Sequence, residues 1–371
     1  MGAAIDLRVL AGAAGALLVA LMLSEFFVTF MLPRRVRRDP RIARGLNRLL
    51  WRPWRWVARR LAPAGADTLL GLFGPLALVS QLVVWALGLL IGYGLIEWAV
   101  AGGPFSTRFL ASSGLFLSAG GLSGSNALRA VDLLEAATGV GVLFIVIGYM
   151  PSVYSAFSRR ETAVSQLATR AGSPPAAATL IHRAAGREHW SELQRDLRSW
   201  EEWAAELMET HLTYPLLAFY RSQHVNQNWL AALTAMVDVS AFIKAALHDS
   251  VDAADITFRI GRHALADLAL QFRLEPVPVD RLSDADFEEL FAIVDGSTAE
   301  NVDSATAQQR LDELREEYEP NAQALADFLA LELPPWFHQE TQPGARTPPP
   351  THSGRDLVGS RATPPQVGQQ K

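Results

Sequence analysis

The stretch VLAGAAGALLVALMLSEFFVTFML, Val9 to Leu32, is the feature that most restricts the fold of this chain. Its 24 apolar or small residues carry a single ionisable side chain, Glu25. As a helix, a run of this length crosses an apolar layer of about 30 Å. A cleaved secretory leader would carry its positive charge ahead of the run. Here only Arg8 precedes it, and eleven arginines follow between Arg34 and Arg60. The run is therefore expected to stay in a membrane, with the Arg-rich linker on the cytoplasmic side and the N-terminus outside.

Composition agrees with that division. Half of the 371 residues are hydrophobic, and there is no cysteine, which excludes disulfides, thiolate metal sites and thiol chemistry. Residues 1–160 hold 16 Arg or Lys against 7 Asp or Glu, whereas residues 161–337 hold 13 against 29. A basic, apolar part followed by an acidic, amphipathic part reads as a membrane region joined to a soluble domain. Trp51, Trp54 and Trp56 interleave with arginine. Between two apolar runs, that pattern fits headgroup anchoring better than base stacking, so the expected partner is the lipid bilayer and not nucleic acid.

A second apolar run extends from Thr68 to Val100 across Gly74-Pro75, too long for one untilted crossing. A third, Phe109 to Leu117, spans two to three helical turns and then dissolves into Gly and Ser, which is the length of a re-entrant segment. A fourth, Ala136 to Phe157, crosses again and ends in Ser158-Arg159-Arg160. The expected organisation is a first transmembrane helix (1–33) and a basic cytoplasmic linker (34–65). A pore-type domain (66–160) follows, with a re-entrant loop at 105–126. An acidic helical cytoplasmic domain (161–337) and a disordered tail (338–371) complete the chain. The predicted fold class is all-α, with three transmembrane helices.

In the soluble part, Trp190, Leu193, Leu197, Trp200, Trp203 and Leu207 recur at helical spacing. Further helices are predicted over Val225–Leu247 (amphipathic), Ala253–Phe272, Asp284–Val294, Gln308–Tyr318 and Asn321–Leu331. Ser173-Pro174-Pro175 is expected to end the helix before it. The tail from His338 is rich in Pro, Gly, Ser, Thr and Gln. Histidines 182, 189, 211, 224, 248 and 263 are scattered. His189 with Glu192 is the one pair at metal-ligand spacing, so solvated histidines and no metal site are expected. No nucleophile motif, phosphate-binding glycine loop or nucleotide fingerprint occurs, and no enzyme activity is expected. The polar stretch Arg221 to Trp229 is the best candidate for a ligand or interdomain contact, or else a solvated connection.

The triplet Gly92-Tyr93-Gly94 has the composition of a potassium filter. It lies inside the second apolar run, with no short helix before it, so Gly88 and Gly92 are expected to serve close helix packing. Two long apolar runs that enclose a short helix and a Gly-rich loop nevertheless describe a pore module. The stretch LLEAATGVGVLFIVIGYMPSVYSAFSRRETAVSQLATRAGSPPAA, Leu133 to Ala177, resembles the inner helix and its exit in a bacterial potassium-channel-like family. HLTYPLLAFYRSQHVNQNWLAALTAMVDVSAFI and MLPRRVRR resemble the same family, so the likeness covers most of residues 20–260.

The resemblance places the filter, of the form Thr-Leu-Gly-Tyr-Gly-Asp, at Ser118, Ala119, Gly120, Gly121, Leu122 and Ser123. Leu122 stands where the second glycine belongs and Ser123 where the aspartate belongs. A leucine forced into left-handed backbone angles costs roughly 1–2 kcal/mol, and no Gly-x-Gly spacing occurs from Ser118 to Asn126. The resemblance thus implies a homotetrameric ion channel of the bacterial inner membrane with a non-standard filter, its potassium selectivity open. No cofactor is implied beyond a monovalent ion in the pore. The alternative is a non-conducting membrane scaffold or sensor that keeps the channel fold. Glu135 is a candidate for filter support or for a charge at the helix N-terminus, Gly139 and Gly141 for a gating hinge or for helix packing, and Pro151 for a kink that removes a backbone bond. Glu25 is expected to reach the interface or to pair with Arg34 or Arg35.

Overall fold

The computed structural model describes residues 2–30, 42–117, 124–186, 190–224, 226–247, 252–295 and 301–338. Eleven α-helices and one 3-10 turn account for most of them: α1 (Gly2–Phe30), α2 (Ile42–Ala58), α3 (Pro63–Ala101), α4 (Phe105–Phe116), α5 (Asn126–Ala171), α6 (Ala177–Gly186), α7 (Trp190–Thr213), the turn Pro215–Phe219, α8 (Trp229–Ala246), α9 (Asp252–Phe272), α10 (Asp284–Asp295) and α11 (Ser304–Leu329). Among the described residues the β-type pairing is a single bridge, Leu247 with Asn301. The chain is all-helical.

Among the described residues, four helices are long and apolar enough to cross a membrane: Leu7–Phe30 of α1, then α3, α5 and α8. They are not alike in surroundings. The most apolar window of α8 is 94% buried within the chain, against 17%, 39% and 17% for the others. Helices α9 and α11 pack along α8, with α5, α6 and α7 closing around it, and Leu230, Leu233, Met236, Val237, Val239 and Phe242 are all buried. An amphipathic helix was expected there; it is instead apolar around its whole circumference because it is the core of the helical domain. By contrast α1, α3 and α5 leave large apolar side chains outward, among them Leu17, Leu72, Val79, Phe144 and Ile147.

Pro53 and Pro320 lie inside helices. Gln308–Tyr318 and Asn321–Leu331 are one helix, α11, which runs through Pro320. Its face of Leu311, Tyr318, Ala322, Leu325 and Leu329 stays buried on both sides of the proline, and that burial outweighs the one missing backbone bond. Likewise α2 runs through Pro53, inside what reads as a linker. Its apolar positions Ile42, Leu46, Leu50, Trp51, Trp54 and Ala58 keep helical spacing on one side. Elsewhere the local signals hold. Ser125 caps α5 by accepting from Leu128 N–H, Asn228 caps α8 through Ala231 N–H, and Asp303 caps α11 through Thr306 N–H. Helix α5 stops at Ala171, directly before the Gly172 to Pro175 breaker.

Helix α1 packs on α3 through small residues. A Cβ on Gly15 would meet Gly92 O at 2.5 Å, and one on Gly92 would meet Val19 at 2.7 Å. Met22 fills the space at Gly88. The expected packing role of Gly88 and Gly92 is what these distances describe.

Candidate functional site

Helix α4 lies antiparallel to α3 and alongside α5. Phe105 meets Trp98, Phe109 meets Gly94, and the Ser112 hydroxyl donates to Leu90 O at 3.4 Å. On α5, Glu135 is level with Ser112, and Gly139 is level with Phe116. Twelve residues of helix therefore descend about 18 Å along the pair. The chain is back at the first turn of α5 by Ser125. The six positions Ser118, Ala119, Gly120, Gly121, Leu122 and Ser123 lie outside the described residues.

Behind α4 is a cluster of carboxyl groups. Glu97 of α3 and Asp132 and Glu135 of α5 are 1%, 2% and 0% exposed, and Ser112 of α4 is fully buried beside them. Glu135 Oε1 accepts from Ser112 Oγ at 2.5 Å. Neither Glu135 Oε2 nor Glu97 Oε1 meets a donor. The two glutamate side chains lie close enough to interact directly. Arg108 of α4 sits close enough to act on Glu97, and its Nε donates to Gly102 O at 3.1 Å. Tyr93, the middle of the Gly-Tyr-Gly triplet, shares a hydrogen bond with Thr138 Oγ1 at 2.8 Å. The triplet is therefore helix interior, with Gly92 against α1, Gly94 against α4 and Tyr93 against α5.

The sequence pointed to Glu135 but not to its partners. Glu97 is separated from it by the whole of α4, and no periodic pattern joins them. The usable signal was simply an ionisable residue inside an apolar run. Among the described residues, no set of three acidic or histidine side chains is placed to hold a metal ion.

Gly139 is a packing residue. A Cβ there would lie 2.0 Å from the Phe116 carbonyl oxygen, so the end of α4 rests directly on the α5 backbone. Gly141 faces open space. Pro151 lies within α5, which continues through it as one helix to Ala171.

A second set of contacts joins this module to the helical domain. Arg160, 3% exposed, donates from Nη1 to Leu217 O and from Nη2 to Tyr220 O, both at 2.8 Å. It also contacts His211, which is 1% exposed rather than solvated. Burial, and then the neighbouring Arg160 charge, push the His211 imidazole down to about 3, so it is neutral at ordinary pH. Trp51 of α2, Phe73 of α3 and Phe219 meet edge-on or tilted with ring centroids 4.6 to 5.1 Å apart, and Phe272 and Phe328 extend the cluster into α9 and α11. Gly74 is held to glycine by the Tyr220 ring, 2.5 Å from where its Cβ would be. Arg221 donates to Leu329 O and Ala330 O, and Asn228 to Glu332 O. The polar stretch from Arg221 is therefore a tie between the start of α8 and the end of α11.

Arg34 and Arg35, two expected partners of Glu25, lie outside the described residues. Glu25 is 5% exposed, and its Oε2 accepts from Ile42 N–H at 3.2 Å, at the first turn of α2. An acidic group there satisfies an orphan donor and meets the positive end of the helix.

Taken together, the fold is that of an all-helical protein whose long apolar helices are compatible with a membrane. No family model, curated protein or solved structure matches the chain.

Proposed function

We propose that the chain is one subunit of an ion-conducting membrane pore of the potassium-channel-like type, with a non-standard filter. In this reading α1, α3 and α5 are three membrane spans and α8 is a core helix. Helix α4 and the residues up to Gly124 form a re-entrant segment. The observation that carries the reading is the descent of α4 between two long apolar helices, ending on Gly139. A segment that enters and leaves on one side needs protein around it at membrane depth. A filter contributed once per chain needs four copies to close a ring, so the assembly is a homotetramer. The arginines of 34–60 place the N-terminus outside and the acidic helical domain in the cytoplasm. By its resemblance, the membrane is a bacterial inner membrane. Arg160 and the aromatic cluster give that domain a mechanical hold on α5 and α3, the geometry a cytoplasmic gate requires.

The rival reading is a non-conducting scaffold or sensor, and Leu122 in place of a filter glycine is what favours it. Flux from liposomes that contain the purified chain separates the two. Release of potassium or sodium well above that of empty liposomes is expected. No flux of potassium, sodium or chloride, over a range of pH and voltage, would exclude conduction and leave the scaffold.

A further inference from the structure

Helix α2 has two faces with different tasks. One is docked on the helical domain. Trp51 Nε1 donates to Phe328 O at 2.8 Å, Arg55 Nη1 to Asp327 O at 2.6 Å and Arg48 Nη2 to Phe272 O at 2.9 Å. These carbonyls belong to the last turns of α11 and α9, where the helix dipole favours a cation. Of the three tryptophans expected to face lipid, Trp51 is instead 3% exposed in this contact, and Trp54 donates to Leu69 O.

The other face is a mixed stripe. Leu49, Trp56, Val57 and Leu61 are 70%, 59%, 42% and 46% exposed, and Arg52, Arg59 and Arg60 are exposed among them. Leu49, Arg52, Trp56 and Arg60 follow one another at helical spacing. The Arg60 guanidinium lies over the Trp56 ring, 3.1 Å from its centroid. There is no acidic residue in α2, and among the described residues no carboxylate pairs with Arg52, Arg59 or Arg60.

We propose that this stripe binds the phosphate-bearing headgroups of anionic phospholipids, in the leaflet at the Arg-rich ends of α1 and α3. The proposal rests on α1 and α3 being membrane spans but not on ion conduction. Helix α2 is tied to both spans. Glu25 of α1 holds its first turn, and four residues separate its end from α3. Apolar side chains on the stripe enter the headgroup boundary, Trp56 lies at headgroup level, and the three guanidiniums meet phosphate. Neutral lipid would satisfy the leucines and the tryptophan but leave the arginines without counter-charge. Since the opposite face clasps α9 and α11, headgroup binding also steadies the helical domain.

The test uses the full chain in a neutral detergent, with quenching of tryptophan fluorescence by brominated phosphatidylglycerol or brominated phosphatidylcholine. Stronger quenching by phosphatidylglycerol is expected, weakening as salt is raised. Each arginine near an anionic surface contributes about 5-fold, so R52Q/R59Q/R60Q is expected to bind phosphatidylglycerol about 100-fold more weakly. R52K/R59K/R60K, which keeps the charge and guards against a folding defect, is expected to retain most of the preference. Equal quenching by the two lipids, or an unchanged preference in the glutamine variant, would overturn the proposal. Relief of the quenching by millimolar inorganic phosphate would make this a free-anion site and overturn it too. Release of the chain from membranes by alkaline carbonate would instead overturn the span reading beneath it.

Discussion

Arg281→Met is expected to cost the helical domain about 3–5 kcal/mol, the usual consequence of removing one partner of a buried ion pair. Arg281 lies in the segment between α9 and α10. Its Nη2 donates to Asp238 Oδ1 at 2.5 Å and to Glu319 Oε1 at 2.9 Å, and its Nη1 to Asp238 Oδ2 and Pro334 O. Asp238 is 0% exposed and Glu319 2%. Burial alone would lower the affinity of Arg281 for its proton, yet Asp238, Tyr318 and Glu319 hold it above its ordinary range. Methionine fills much of the volume and leaves Asp238 in the core with only the Tyr318 hydroxyl as partner, at 2.5 Å. A melt of the full chain in detergent checks this, and Asp238→Asn in the same background should recover part of the loss. A change below about 1 kcal/mol would mean that the network is dispensable.

Gly139→Ala is the second large effect, with an expected loss of about 3 kcal/mol. The added methyl would lie 2.0 Å from a backbone oxygen, which no side-chain rotation relieves. Either α4 moves off α5 or α5 bends, and both displace the segment that follows Phe116. Gly141→Ala is the internal control. Nothing lies within 4 Å of its Cβ, so alanine there should be neutral or should stabilise the helix by about 0.5–1 kcal/mol. The pair is read by thermal stability and by ion flux. Equal behaviour of the two variants would show that the contact between α4 and α5 does not matter.

What could be read from the sequence follows the physics of each element. The apolar runs behind α1, α3 and α5 are legible because burial in an apolar medium demands uninterrupted length. The stop at Ala171 is legible because glycine and proline act locally. Helix α11 was read as two helices on either side of Pro320, and α2 only as a basic linker, since a local rule cannot weigh the burial that carries a helix through a proline. Helix α8 was legible as a helix but not as the core, because its surroundings come mainly from α9 and α11. The carboxyl cluster and the Arg281 network were not legible. Glu97 is 38 positions from Glu135, and Arg281 is 43 from Asp238. Such pairs are set by tertiary packing and leave no periodic trace. Gly139 was visible as a glycine of α5, but only the position of Phe116 distinguishes a packing contact from a hinge.

The most direct measurement of the proposed pathway exploits the absence of cysteine from the chain. Ser118→Cys places one thiol at the start of the proposed filter, and Leu17→Cys places one on the outward face of α1 (Leu17 is 72% exposed). Each variant is reconstituted in liposomes and treated from outside with a charged thiol reagent while flux is followed. Block of ion flux through Ser118→Cys, slowed when permeant ion is raised, with no effect through Leu17→Cys, is the predicted result. Flux that persists unchanged after complete modification at position 118 would contradict a pathway through this loop.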